Sequence, residues 1–239
     1  MSCLDNIRGI LPSSMLDWPG KICSVLFLAG CNFRCPYCHN PELLEAGKDA
    51  DNITWDGIAD YLAGRKGWID GVSITGGEPT VHADLPLLCE KLRALDMGVK
   101  LDTNGSHPHL LAEMLSRGLL DFVAMDLKAD LQRYPEVVRR KVNPLSIGES
   151  LDTIMHSGVE HEFRCTVVPG LVGLEDLESL ARRVQGARML VLQQFRSDIT
   201  LDPAYTGAEG YPEETMTEWA RKLNRLVPTQ VRGLVVSSH

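Results

Sequence analysis

From about residue 20 onward, short apolar runs alternate with longer stretches in which apolar positions recur every three to four residues. The first pattern belongs to strands and the second to amphipathic helices. Strands are predicted over 22–28, 72–75, 99–102, 122–128, 162–168, 188–194 and 230–236, and helices over 54–62, 84–95, 108–116, 146–156, 174–184 and 212–226. Thr54 and Asp84 stand where N-caps belong, and Gly118 and Gly158 lie just past helix ends. A repeated strand, helix, strand order predicts a parallel sheet wound by right-handed crossovers. The expected fold class is therefore α/β, a partial (βα)6-type barrel with parallel strands. No repeat, low-complexity tract or linker interrupts the pattern, so residues 1–239 are expected to form a single domain.

The strands also have two unlike faces. In 122–128, Val123, Met125 and Leu127 share one face, while Ala124, Asp126 and Lys128 share the other. Ser73 and Thr75, Lys100 and Asp102, and Arg164 and Thr166 likewise fall opposite apolar neighbours. With helices covering the apolar faces, these polar residues point inward. Barrel interiors are ordinarily filled by Val, Ile and Leu, so a polar interior predicts a ligand cavity. The competing reading is an antiparallel sheet with its polar face in solvent.

Composition narrows the partners. The chain has 239 residues, 44% hydrophobic and 23% charged, with a net charge of −8. That balance offers no electrostatic reason to bind a phosphate backbone, so nucleic acid is not an expected partner. No apolar run approaches the ~20 residues that span a bilayer. Asp5 and Arg8 break the only stretch where a signal peptide would lie. A cytoplasmic protein without a membrane partner is expected, and its seven cysteines should be reduced thiols.

Three of those cysteines, Cys31, Cys35 and Cys38, crowd into the loop 29–40 directly after the first predicted strand. A structural zinc site needs four closed ligands, and no second cysteine pair is present, although His39 or a distant cysteine could complete the set. Cys35 to His39 also matches the c-type haem attachment pattern, which leaves Cys31 without a role. A 4Fe-4S cluster ordinarily takes four thiolates, so three without a fourth nearby would leave one iron open to a small ligand. Three merely buried thiols would suit a strand better than this polar loop.

The segment CNFRCPYCHN (31–40) resembles the CxxxCxxC signature of the radical S-adenosylmethionine (radical SAM) superfamily. In the same order, ITGGEP (74–79), LDTNG (101–105), MDLK (125–128) and RCTVVPG (164–170) resemble segments of its glycyl-radical-enzyme activating enzymes, such as the pyruvate formate-lyase activase. With LDWPGK (16–21) and LQQF (192–195) included, the chain from Asp17 to about Pro203 is most similar to the longer type of anaerobic ribonucleoside-triphosphate reductase activating protein.

The resemblance implies that Cys31, Cys35 and Cys38 bind three irons, while the amino and carboxylate groups of S-adenosylmethionine chelate the fourth. Reduction of the cluster would then cleave the sulfonium to a 5′-deoxyadenosyl radical, with no side chain assigned as acid or base. Tyr37 matches the aromatic position beside adenine, and Gly76, Gly77 and Glu78 the segment that holds the methionine amino group. Asp102, Asp126 and Lys128 match polar residues around the cofactor, and the two aspartates a monovalent-cation site; as residues alone they would equally make internal ion pairs. Arg196 stands where the pyruvate formate-lyase activase has a cofactor-contacting histidine, and arginine does not replace histidine like for like. Only 15 residues separate Cys38 from Thr54, none of them cysteine, so one cluster is expected. The implied partners are a glycyl radical enzyme as protein substrate and reduced flavodoxin or ferredoxin as electron donor. A small-molecule enzyme similar to 7-carboxy-7-deazaguanine synthase is the alternative within the superfamily.

Overall fold

A computed structural model of the chain describes residues 2–45 and 53–234. Its strands are β1 (Ile7–Ser14), β2 (Cys23–Leu28), β3 (Gly71–Gly76), β4 (Gly98–Thr103), β5 (Phe122–Asp126), β6 (Glu160–Val167), β7 (Leu190–Gln194) and β8 (Thr229–Arg232). The helices are α1 (Trp55–Ala63), α2 (Leu85–Ala94), α3 (Pro108–Ser116), α4 (Tyr134–Val137), α5 (Pro144–His156), α6 (Leu174–Arg183) and α7 (Glu213–Leu223). One sheet carries the strands in sequence order, with β1 antiparallel to β2 and every later pair parallel. Among the described residues the edges β1 and β8 do not pair, and the sheet is an open, partial barrel.

The seven predicted strands and six predicted helices all form, with ends shifted by a few residues. The strand predicted over 230–236 ends at Arg232, and residues 235 and 236 lie outside the described residues. Strand β1 and helix α4 are additions. The apolar pattern of β1 is broken by Gly9 and Pro12, and its pairing with β2 shifts register twice. Proline is tolerated there because β1 is an edge strand. Thr54 caps α1 by accepting from the Gly57 N–H at 3.3 Å. Asp84 does not cap α2 through its side chain; its carboxylate accepts from the Ser2 hydroxyl at 2.6 Å and the Cys3 N–H at 3.0 Å, tying down the chain's beginning. Gly118 and Gly158 both take the left-handed conformation expected after a helix end.

The two strand faces separate as expected. Val72, Ile74, Val99, Leu101, Val123, Met125, Phe163 and Cys165 pack with the helices in the main core. On the inner face, Cys23, Val25, Phe122 and Ala124 form a small second cluster around Trp18. Pairing register puts Val25, Ser73, Lys100 and Phe122 in one inner row, and Asp126, Arg164 and Val191 in another. The apolar cluster closes the interior where the strands begin, and the polar residues gather where they end. Among the described residues no helix is long and apolar enough to cross a membrane.

Candidate active site

The loop after β2 and the C-terminal ends of β3 to β7 enclose a cavity of about 250 Å³. All ten expected site residues line it: Cys31, Cys35, Cys38, Tyr37, Gly76, Gly77, Glu78, Asp102, Asp126 and Lys128. The cysteine loop is fastened at several points. Gly30 N–H donates to the Leu43 carbonyl at 2.7 Å, Arg34 N–H to the Val138 carbonyl at 2.9 Å, and Cys38 N–H to the Cys35 carbonyl at 3.1 Å. The Arg34 guanidinium turns back onto the Cys31 and Phe33 carbonyls at 2.6 and 2.8 Å. Burial pushes the Cys31 thiol up to about 12 and raises Cys35 and Cys38 as well. A bound cation would supply the charge that ionises them. The other four cysteines are buried away from the cavity. Among the described residues no three His, Cys, Asp or Glu side chains converge as ligands of a single metal ion; the three thiols line the cavity separately.

The glycine pair has a structural cause that its sequence did not reveal. Gly77 N–H donates to the Leu28 carbonyl at 2.8 Å and Glu78 N–H to the Gly30 carbonyl at 2.7 Å, locking the end of β3 to the cysteine loop. A Cβ on Gly77 would stand 2.2 Å from the Gly30 oxygen, and one on Gly76 2.3 Å from the Leu28 oxygen. The glycines admit neighbouring backbone, and the cavity wall follows from that contact. Glu78 is buried behind it. Its Oε1 accepts from Thr80 N–H at 3.1 Å, from the Thr80 hydroxyl and from the Thr103 hydroxyl at 2.7 Å, whereas among the described residues Oε2 accepts only Asn104 N–H, at 2.6 Å. A carboxylate has about four acceptor sites, so Oε2 keeps capacity for a ligand. Burial raises the Glu78 pKa, opposed by these hydrogen bonds.

Asp102, Asp126 and Lys128 belong to one charge network on the inner face. Arg164 stands between the aspartates, with Nε 2.7 Å from Asp126 Oδ1 and Nη1 3.1 Å from Asp102 Oδ2. Lys128 lies 3.3 Å from the other Asp126 oxygen, and Lys100 pairs with the other Asp102 oxygen. Burial alone would raise the Asp126 pKa, but Arg164 and Lys128 outweigh it and hold the carboxyl well below the usual range. Burial alone would lower Lys128, and Asp126 reverses that. A guanidinium thus stands between the two aspartates that the resemblance assigned to a monovalent-cation site, and ion pairing among these residues coexists with their position in the cavity wall.

Tyr37 is buried in the cavity wall, and its hydroxyl has no partner among the described residues. An unmet buried hydroxyl costs about 1–3 kcal/mol, a deficit that a polar ligand would relieve. Arg196 lies past the end of β7, 69% exposed and paired with Asp198 at 3.2 Å; it does not line the cavity, whereas Gln193 does. Arg164, Thr103, Asn104 and Gln193 also line it, as do Thr75 and Thr166 of the inner face and His39 of the cysteine loop. The inner-face alternation pointed to Arg164; Thr103, Asn104 and Gln193 lie within the segments LDTNG and LQQF, but the sequence alone assigns them no role.

Three unshared thiols at an open cavity, an acceptor with spare capacity and an orphaned hydroxyl fit a cluster with one open iron and a polar nucleotide beside it. Comparisons with known proteins agree. The family model for the radical SAM superfamily matches residues 25–184. A protein of Methanocaldococcus jannaschii, provisionally named a glycyl-radical enzyme activating enzyme, is 32% identical over 207 residues, 83% of this chain and 83% of its own. The pyruvate formate-lyase-activating enzyme of Staphylococcus aureus is 35% identical over 106 residues, 43% of this chain and 39% of its own. The crystal structure of Streptococcus suis SuiB bound to S-adenosylmethionine shares the fold, with a TM-score of 0.65 at 16% identity over 85% of this chain, which spans 48% of that longer one. The chain therefore belongs to the radical SAM superfamily, as an enzyme of the activating-enzyme type whose cofactors are a 4Fe-4S cluster and S-adenosylmethionine.

Proposed function

We propose that this enzyme generates a glycyl radical on a large partner enzyme, an anaerobic ribonucleoside-triphosphate reductase. The observation that carries the reading is the meeting of the three thiols with Glu78, Asp102, Asp126 and Lys128 in one cavity at the strand ends. Cys31, Cys35 and Cys38 would hold three irons, and Glu78 Oε2 would accept the methionine ammonium. Asp102, Asp126 and Lys128 would border the rest of the nucleotide, with Tyr37 against its base. When bound and reduced, the cofactors supply a 5′-deoxyadenosyl radical able to take a hydrogen atom from a glycine Cα. The chain's own work is to bind, orient and exclude water. Support for a glycyl radical target comes from the relatives and the motif order, and support for the reductase from LDWPGK and LQQF. Reduced flavodoxin or ferredoxin would supply the electron. We assign the enzyme to the cytoplasm because all seven cysteines are free, as in a reducing compartment.

The test is anaerobic incubation of the reconstituted protein with S-adenosylmethionine, a reductant and the candidate reductase, read by electron paramagnetic resonance. A glycine-centred signal, lost when the reductase's radical glycine is replaced by alanine, is the expected result. No signal with the reductase, but one with pyruvate formate-lyase, would move the target. No signal with either, alongside turnover of a pterin, would favour the small-molecule alternative.

A further inference from the structure

We infer that the basic turn at residues 138–141 is the docking surface for an acidic one-electron carrier protein. The inference rests on the proposed function, because only a reductively triggered cluster needs such a carrier.

The turn is attached to the outside of the cysteine loop. Val138 accepts the Arg34 N–H at 2.9 Å, and the Tyr134 ring meets Phe33 edge-on at 6.5 Å. Arg139 follows with a φ of +49°, in the left-handed region. A non-glycine residue pays about 1–2 kcal/mol there, a cost that glycine avoids and asparagine reduces. The strained position nevertheless carries a long cation. Its guanidinium pairs with Asp202 at 2.6 Å, and the Asp202 N–H donates to the Pro36 carbonyl at 2.9 Å, a second tie to the cysteine loop. Arg140 and Lys141 come next, both exposed, and neither makes a hydrogen bond or ion pair with any described residue.

The facing charges leave the turn positive. Asp202 engages Arg139, and Glu136 on α4 is taken by Arg133 at 3.1 Å. The Arg34 guanidinium is turned inward, so among the described residues no carboxylate pairs with Arg140 or Lys141, on a molecule whose net charge is −8. An acidic carrier is repelled by most of such a surface and steered to a local basic patch. Residues 138–141 do not line the cavity, so a carrier seated here leaves its entrance to the enzyme that donates the hydrogen atom. In the step itself one electron passes from the reduced carrier to the oxidised cluster. The carrier is oxidised by one electron, the cluster is reduced by one, and no bond or proton changes hands.

The test compares the reconstituted wild type with Arg140→Glu/Lys141→Glu, using stopped-flow reduction of the cluster by reduced ferredoxin and, separately, by photoreduced deazaflavin, which is small and uncharged. Reversing both charges should slow the ferredoxin reaction about tenfold or more at low salt. Added salt should slow the wild type toward the variant, and deazaflavin should reduce both proteins equally. An unchanged ferredoxin rate would overturn the inference. Equal slowing with deazaflavin would mean a damaged cluster loop and would also overturn it. So would slower glycyl radical formation under deazaflavin, since the turn would then serve the radical-accepting enzyme. If even the wild type fails to cleave S-adenosylmethionine with deazaflavin, the functional reading fails rather than the docking surface.

Discussion

Lys100 is 1% exposed, on the inner face of β4, and its charge is tolerated because Asp102 pairs with it and the Ser73 hydroxyl lies 3.4 Å away. Removing one member of a buried pair strands the other, at about 3–5 kcal/mol. Asp102→Ala should therefore lower stability by about that amount in a denaturant titration, and Asp102→Ala/Lys100→Met should recover most of it. Affinity for S-adenosylmethionine should stay weakened in both variants, because Asp102 also lines the cavity; recovery of affinity with stability would leave Asp102 a purely structural role. Glu78 gives a pH signature. Burial lifts its folded pKa above the ordinary value, so as pH falls through that raised value the carboxylate is neutralised and loses its hold on an ammonium group. S-adenosylmethionine affinity, measured by titration calorimetry, should weaken on mild acidification before an ordinary glutamate would protonate, and Glu78→Gln should be weak and flat. By linkage, the same raised pKa favours the free folded state below it, and this contribution fades as pH rises through it. At this scale the chain was legible wherever period-two alternation sorts faces, as it did for Asp102, Asp126, Lys128 and Arg164. Which carboxylate meets which cation was not legible, because Arg164 reaches across β5 to Asp102 through a register that no local pattern encodes.

The elements around the site depend on backbone contacts as much as on side chains. The end of β3 touches the cysteine loop through Gly77, where any Cβ meets backbone that cannot move aside. Gly77→Ala should displace the loop and cut the iron bound after anaerobic reconstitution to a small fraction of the wild-type content. The same substitution in α5 has the opposite expectation: at Gly148 a new Cβ meets only the end of the Arg183 side chain, at 3.5 Å. Gly148→Ala should stabilise the protein by about 0.5–1 kcal/mol through helix propensity, seen as a higher Tm with iron content unchanged. Strands and helices with clean periods were readable, down to the bounds of α3. Strand β1 was not, because an edge strand carrying Gly9 and Pro12 lacks the alternation that identifies its neighbours.

At the scale of the whole molecule, parallel strands in sequence order bring segments far apart in the chain to one end of an open sheet, and the cavity is lined from there. The opposite end of the interior is closed by Trp18 packed on Phe122 at 6.3 Å. The central claim is that Cys31, Cys35 and Cys38 leave one iron of a 4Fe-4S cluster free to hold S-adenosylmethionine. Its most direct test is chromatographic measurement of 5′-deoxyadenosine after the anaerobically reconstituted protein is reduced in the presence of S-adenosylmethionine. The account predicts 5′-deoxyadenosine from wild-type protein holding about four irons per chain, and none from Cys35→Ala. Intact S-adenosylmethionine after reduction of a fully loaded wild-type cluster would contradict it.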